Sequence, residues 1–175
     1  MNRLKQLAAQ IDAQSKPPVH LWKPDNEGEI DIRIDANGQW FHEGDVIARD
    51  KLMVLFSSIL WFEENQYYLV TPAEKLAIEV DDVPFMIHQT EYVDNAWVAT
   101  TNTHEPIIIG EDHPVELRQF SGQWVPYVKV RYELWARLNR SQYVQWVELA
   151  LEQQERSGGE KLLLESQGYS FEVAR

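Results

Sequence analysis

The chain has 175 residues and a mass of 20.5 kDa, and its 16 basic and 28 acidic side chains give a formal charge of −12 at pH 7. This charge repels phosphate backbones and anionic lipids, and the sequence has no basic patch that opposes it. Neither nucleic acid nor a membrane surface is therefore an expected partner. The absence of cysteine excludes disulfides, thiolate nucleophiles and iron–sulfur clusters.

The first fifteen residues carry charged side chains and no apolar stretch of the kind found in secretory signals. The longest purely apolar run, residues 52–56, is much shorter than the about 20 residues that cross a bilayer. A cytoplasmic protein is the expectation, and the lack of cysteine fits that compartment.

Residues 2–14 show the pattern of an amphipathic helix. Four apolar side chains recur at i, i+3, i+4 and i+7, namely Leu4, Leu7, Ala8 and Ile11. We expect this helix to dock on the body of the protein or on a partner. Pro17 and Pro18 end it, because proline cannot donate a backbone hydrogen bond and restricts the residue before it.

Most of the remaining chain has the alternation of β-strands. In residues 30–35 three isoleucines alternate with three charged residues, which predicts a half-buried strand. The dipeptide Asn37-Gly38 predicts a two-residue hairpin turn after it. Further hairpin turns are expected within residues 63–66, 94–95, 121–122 and 167–168.

Two further helices are expected. The apolar residues between 52 and 60 predict a helix buried on more than half of its circumference, which we interpret as a central core helix. The second helix begins at Ser141, which serves as its N-cap, and ends at Gly158-Gly159.

The two halves share the order strand, Gly-Gln-Trp turn, return strand, helix and hairpin. This tripeptide occurs at residues 38–40 and 122–124, so either the chain is duplicated internally or the match is a coincidence. The expected fold is α+β, with an N-terminal helix and linker in residues 1–19. Two β-rich repeats follow in residues 20–104 and 105–175, each built from antiparallel hairpins or a β-roll with one core helix. Their seam would be the natural place for a ligand cleft.

The common catalytic signatures are missing: there is no phosphate-binding glycine loop, nucleophile elbow, dinucleotide fingerprint or zinc-protease helix. The best cluster of metal-ligating residue types consists of His104-Glu105 and residues 111–113, at the two ends of a predicted strand. A strand of that length separates its ends by about 20 Å, so we expect no metal site and no cofactor.

A second set of polar residues is the better candidate for a binding site. Arg49 precedes the first predicted core helix, and Glu74, Lys75 and Asp82 follow the next hairpin. Their side chains could converge at one end of this unit, where the two cations would hold an anionic ligand or a carboxylate of a partner. The alternative is an internal ion-pair network that fixes the crossing between residues 71 and 85.

Several segments of the chain resemble the proteobacterial family known as domain of unknown function 1285. The matching segments are residues 38–44, 47–49, 55–56, 67–75 and 80–85. At residues 65–66 this chain has Asn-Gln where the family pattern has Asp-Gly.

The resemblance implies a small α+β protein of two related β-rich repeats that exchange segments, with a role in ligand-responsive or signalling regulation and no established activity. The family pattern also adds Trp40 to the candidate ligand-binding residues. These are then Arg49, Glu74, Lys75, Asp82 and Trp40.

We therefore expect a non-catalytic module that binds an unidentified small molecule or protein and acts in regulation. One alternative is a small hydrolase or lyase that uses the paired carboxylates of Asp81 and Asp82 with a histidine. A third possibility is a structural protein that self-associates through its aromatic strands. The sequence does not fix the oligomeric state.

Overall fold

The computed structural model describes residues 3–13 and 16–175, so the outermost residues of the helix predicted for 2–14 lie outside the described part. The helices described are α1 (Arg3–Ala13), α2 (Asp50–Ser57) and α3 (Arg140–Ser157), with a short 3-10 helix at Val19–Leu21. Within this part of the chain, no helix is both long and apolar enough to cross a membrane.

The first half of the chain forms a six-stranded sheet. Its strands are β1 (Asn26–Ile34), β2 (Trp40–His42), β3 (Asp45–Val46), β4 (Leu60–Glu63), β5 (Gln66–Val70) and β6 (Glu74–Val80). Strands β1 to β3 form one antiparallel meander and β4 to β6 form another, and the two meanders join through a parallel pairing of β1 with β6.

A second six-stranded sheet follows. Its strands are β7 (Phe85–Val93), β8 (Ala96–Thr101), β9 (Pro106–Ile108), β10 (Val115–Phe120), β11 (Gln123–Arg131) and β12 (Leu134–Leu138). Again two antiparallel meanders join at the centre, where the first strand of one, β7, runs parallel to the last strand of the other, β12. The two six-stranded sheets therefore have the same connectivity. Together with the helices, these sheets confirm a mixed α+β architecture.

The transition between the sheets differs from the predicted repeat boundary. The chain leaves the first sheet at Val80 and enters the second at Phe85, whereas the predicted boundary after residue 104 falls between β8 and β9 of the second sheet. The Gly-Gln-Trp match explains the difference. It lies in the β1–β2 turn and the β10–β11 turn, which belong to non-equivalent meanders. Each sheet takes all six strands from one continuous stretch, so the two sheets exchange no strand.

Helix α2 is not the central core helix that the sequence predicted. It is eight residues long, and Leu52 and Leu55 are exposed. Met53 and Phe56 are the side chains that pack against the core. The apolar pattern alone could not show this, because an eight-residue helix covers little area.

Helix α3 and the hairpin of β13 (Leu162–Ser166) and β14 (Tyr169–Ala174) pack on the second sheet. Trp146 is fully buried, with its ring centroid 5.6 Å from that of Trp97 and 5.3 Å from that of Phe171. The N-cap of α3 is Asn139, two residues before the predicted Ser141, because its side chain accepts the backbone hydrogen bond of Gln142.

The β1–β2 turn is clamped to the second sheet. Asp35 pairs with Gln39 through the backbone, which leaves a three-residue loop with Gly38 at φ 79° instead of the predicted two-residue turn. Asn102 donates from its side chain to the Gly38 carbonyl at 2.9 Å and accepts from the Met86 backbone at 3.0 Å. This amide therefore links both sheets.

The two Gly-Gln-Trp turns allow a matched test of the clamp. Gly38 and Gly122 have φ of 79° and 80°, so an alanine at either position has the same left-handed strain, about 1–2 kcal/mol. Only at Gly38 would the new methyl group meet a neighbour, the Asn102 side-chain nitrogen at 2.7 Å. We expect Gly38→Ala to lower the free energy of unfolding in urea by about 1 kcal/mol more than Gly122→Ala. Equal losses would show that the clamp contributes nothing.

Candidate functional site

The structure does not bring the predicted binding residues together. Strand β6 begins at Glu74 and ends at Val80, so its two ends are about 20 Å apart. Lys75 lies at the first end and Asp82 lies beyond the second. The hollow that these side chains were expected to share does not form, because β6 is a single extended strand between them.

Lys75 is held within the first sheet. Its ammonium group forms an ion pair with Glu63, lies 3.8 Å from a carboxylate oxygen of Glu27, and sits 4.3 Å from the centre of the Tyr68 ring. These contacts satisfy the charge of a half-buried lysine. Glu74 is also half-buried, and its backbone closes a turn with Thr71. This end of β6 therefore matches the internal-network alternative.

Trp40 and Arg49 lie in contrasting environments. Trp40 is fully buried, its ring stacks near Phe56 with 6.3 Å between centroids, and its indole nitrogen has no hydrogen-bond partner among the described residues. A ligand cannot reach it, so Trp40 is a core residue. Arg49 is exposed immediately before α2, and its guanidinium forms no hydrogen bond or ion pair with the described residues.

Asp82 lies in the linker between the sheets and belongs to a network that sequence reasoning missed. Arg137 of β12 donates to Asp82 at 2.5 Å, and the Tyr127 hydroxyl of β11 donates to the same carboxylate at 2.9 Å. Arg137 also donates to the Ala36 carbonyl in the β1–β2 turn, and its guanidinium lies 3.6 Å from the centre of the Phe120 ring. Arg137 is only 5% exposed. This buried cation therefore connects the linker, the β1–β2 turn and the second sheet.

A cavity of about 320 Å³ adjoins this network. We call it the seam pocket, because its walls come from the β1–β2 turn of the first sheet, from the second sheet and from the start of α3. Its principal lining residues are Asn37, Met86, Phe120, Val125, Arg137, Arg140 and Tyr143.

The electrostatics of the seam pocket favour negative charge. The charge of Arg137 is offset by Asp82. Arg140 is exposed, and its guanidinium has no partner within the described chain. The first turn of α3 contains no acidic residue that could neutralise it. The pocket therefore has one uncompensated positive charge beside walls that combine apolar side chains with uncharged polar ones, among them Ser121 and Gln123.

One sequence signal could have pointed to Arg137. Residues 134–138 read Leu-Trp-Ala-Arg-Leu, and a single charge in an otherwise apolar strand predicts a buried ion that needs a partner. The partner itself, Asp82, is 55 residues away in sequence. No local pattern identifies it.

The carboxylates of the enzyme hypothesis are both engaged by cations. Arg33 donates to Asp81 at 3.0 Å, and this hydrogen bond lowers the pKa of the Asp81 carboxyl below its ordinary value. A carboxyl group that acts as a general acid near neutral pH would need a raised pKa. In the structure as described, no histidine hydrogen-bonds to Asp81 or Asp82.

The histidines considered for metal binding make other contacts. His104 hydrogen-bonds to the Asp50 carboxylate, and His113 to the Lys129 carbonyl. Over residues 3–13 and 16–175, no group of three or more histidine, aspartate or glutamate side chains is arranged to hold a metal ion.

Comparison with known proteins identifies the family. The N-terminal domain model of domain of unknown function 1285 matches residues 17–83, and the C-terminal domain model matches residues 84–173. The chain belongs to this family. The two matches meet in the linker between the sheets. No curated protein matches the chain significantly.

Two solved structures of the family are similar to this fold. A protein from Silicibacter pomeroyi DSS-3 is 35% identical over 96% of this chain and 94% of its own, with a TM-score of 0.81. A protein from Shewanella baltica OS155 is 26% identical over 67% of this chain and 90% of its own, with a TM-score of 0.55. Both are described only as members of the family, so they supply the fold and no activity.

The contact between Tyr127 and Asp82 can be tested by titration. Burial, followed by the hydrogen bond to Asp82, raises the pKa of Tyr127 from 10.0 to about 12. The folded state keeps this proton where the unfolded state loses it, so this group's contribution to stability is lost between pH 10 and 12. The phenolate absorbance of Tyr127 is the difference between the wild type and Tyr127→Phe. We expect it to develop near pH 12. If circular dichroism shows that the protein unfolds at a lower pH, it should develop at the pH of unfolding. A transition near pH 10 that the wild type shows and Tyr127→Phe lacks would contradict the buried contact.

Proposed function

We propose that this protein is a non-catalytic, ligand-binding regulatory module, and that its ligand is a small molecule that docks in the seam pocket. The observation that carries the proposal is the position of the pocket, because its walls come from both sheets and adjoin the buried cation that links them. A ligand there would contact the turn of one sheet and the strands of the other. Its presence could therefore alter how the two sheets pack, as signal transduction requires.

The size and walls of the pocket support a small-molecule ligand. Its volume of about 320 Å³ lies at the lower end of the range for small-molecule sites. Met86, Phe120 and Val125 supply apolar and aromatic surface, and Arg137 is fixed by three contacts before any ligand arrives. Prearranged groups favour binding because less freedom is lost.

The ionisable groups of the pocket support binding over catalysis. The described lining residues that carry a titratable side chain are Arg137, Arg140 and Tyr143, so the lining has no carboxylate or imidazole to move a proton at neutral pH. The proposed activity needs no cofactor. It operates in the cytoplasm, as the sequence predicts.

The shared connectivity of the sheets supports a second part of the proposal, an internal duplication. The repeated unit would be a pair of three-stranded meanders joined by a parallel pairing, once in residues 26–80 and once in residues 85–138. The seam pocket would then lie where the two units meet, which is a common location for ligand sites.

A pocket-filling substitution tests the proposed function. Val125 is 8% exposed and lines the pocket, so Val125→Phe places a ring where the ligand would lie. In a fragment screen by protein-observed NMR, we expect small aromatic fragments to shift the side-chain amide signals of Asn37. The Val125→Phe variant should weaken this binding at least about tenfold.

The matched control is Val46→Phe, since Val46 is a valine of β3 that is 49% exposed and outside the pocket. It should bind the same fragments as the wild type. The proposal fails if no fragment shifts the pocket signals, or if both variants bind as the wild type does. Circular dichroism confirms that both variants are folded.

A further inference from the structure

We infer that the ligand of the seam pocket is a monocarboxylate with a compact apolar body, and that Arg140 binds its carboxylate. The inference rests on the proposed function and adds the chemical class of the ligand. It is drawn from the two kinds of surface that the pocket combines, an uncompensated guanidinium and a group of apolar side chains.

The charge balance selects an anion. Two arginines line the pocket, and one of them, Arg137, already has Asp82 as its counter-ion at 2.5 Å. Arg140 has no acidic neighbour in its helical turn and no partner among the residues described. An anion at Arg140 would gain a counter-ion without displacing an existing one. A cationic ligand would meet two guanidinium groups.

The number of charges favours a carboxylate. A single uncompensated guanidinium neutralises one negative charge, whereas a phosphate monoester brings up to two. The guanidinium fork binds the oxygens of a carboxylate and of a phosphate equally well, so the number of charges is what separates the two. Arg137 cannot supply a second free charge, because Asp82 and the Ala36 carbonyl occupy its two terminal nitrogens.

The remaining walls define the body of the ligand. Met86, Phe120, Val125 and Tyr143 present apolar or aromatic surface, and the volume of about 320 Å³ limits the body to a compact group. The side-chain oxygen of Asn139 accepts the backbone hydrogen bond of Gln142, so this acceptor is already paired and does not face the carboxylate as a free oxygen. An aromatic ring on a short acidic arm satisfies both surfaces.

The test compares phenylacetate with phenylacetamide, which has the same ring and arm without the charge. We expect NMR titration of the wild type to show binding of phenylacetate at least about tenfold tighter than that of phenylacetamide, as for a hydrogen-bonded charge pair. Arg140→Gln should remove this difference. The control is Arg156→Gln, which removes an exposed arginine from the last turn of the same helix and should preserve it.

The outcomes separate the two proposals. Equal binding of the acid and the amide, or an Arg140→Gln variant that still prefers the acid, overturns the carboxylate inference while the seam pocket remains a binding site. Tighter binding of phenyl phosphate than of phenylacetate, or no binding of phenylacetate, also overturns it. The proposed function itself fails only if no fragment of any charge shifts the pocket signals, or if Val125→Phe does not weaken the binding of any fragment that does.

Discussion

The ion pair between Asp82 and Arg137 joins the linker between the sheets to the centre of the second sheet. Taking two charges out of water is unfavourable, and the pair is tolerated because the hydroxyl of Tyr127 and the carbonyl of Ala36 complete its hydrogen bonds. A pair of apolar side chains could fill the same space. Apolar side chains would not fix the orientation of the linker and the turn relative to the second sheet. The guanidinium of Arg137 does so, because it must contact the Asp82 carboxylate, the Ala36 carbonyl and the face of the Phe120 ring at the same time.

This constraint sets the shape of the seam. Arg137 holds the Ala36 carbonyl, and Asn102 holds the Gly38 carbonyl two residues later, so the β1–β2 turn is fixed to the second sheet at two points. The seam pocket lies beside these contacts, with Asn37 of the same turn in its wall. The shape of the seam pocket and the position of the β1–β2 turn therefore depend on each other. A shift of the turn would change the pocket, and a molecule bound in the pocket would contact the turn at Asn37.

Local patterns predicted the local structure well. Turns at residues 94–95, 121–122 and 167–168 were identified from short polar sequences between apolar runs, because a hairpin is specified by its own residues. The pairing of β1 with β6 was not predictable in this way. It is parallel, and four other strands and helix α2 lie between these two strands along the chain. Strand β6 pairs with β1 on one side and with β5 on the other, and as an extended strand it separates Lys75 from Asp82. The repeated Gly-Gln-Trp turns also led to a predicted repeat boundary after residue 104. The two turns lie in non-equivalent meanders, so their spacing does not give the length of the repeated unit.

A double-mutant cycle on Asp82→Asn and Arg137→Gln, with free energies of unfolding from urea titration, tests the central role of this pair most directly. Each single variant should lose about 2–4 kcal/mol, because it leaves one partly or fully buried charge without its partner. The double variant should be more stable than the sum of the single losses predicts, with a coupling of at least about 1 kcal/mol. Losses that add to within about 0.5 kcal/mol would show that the two side chains act independently and that the seam is held by other contacts.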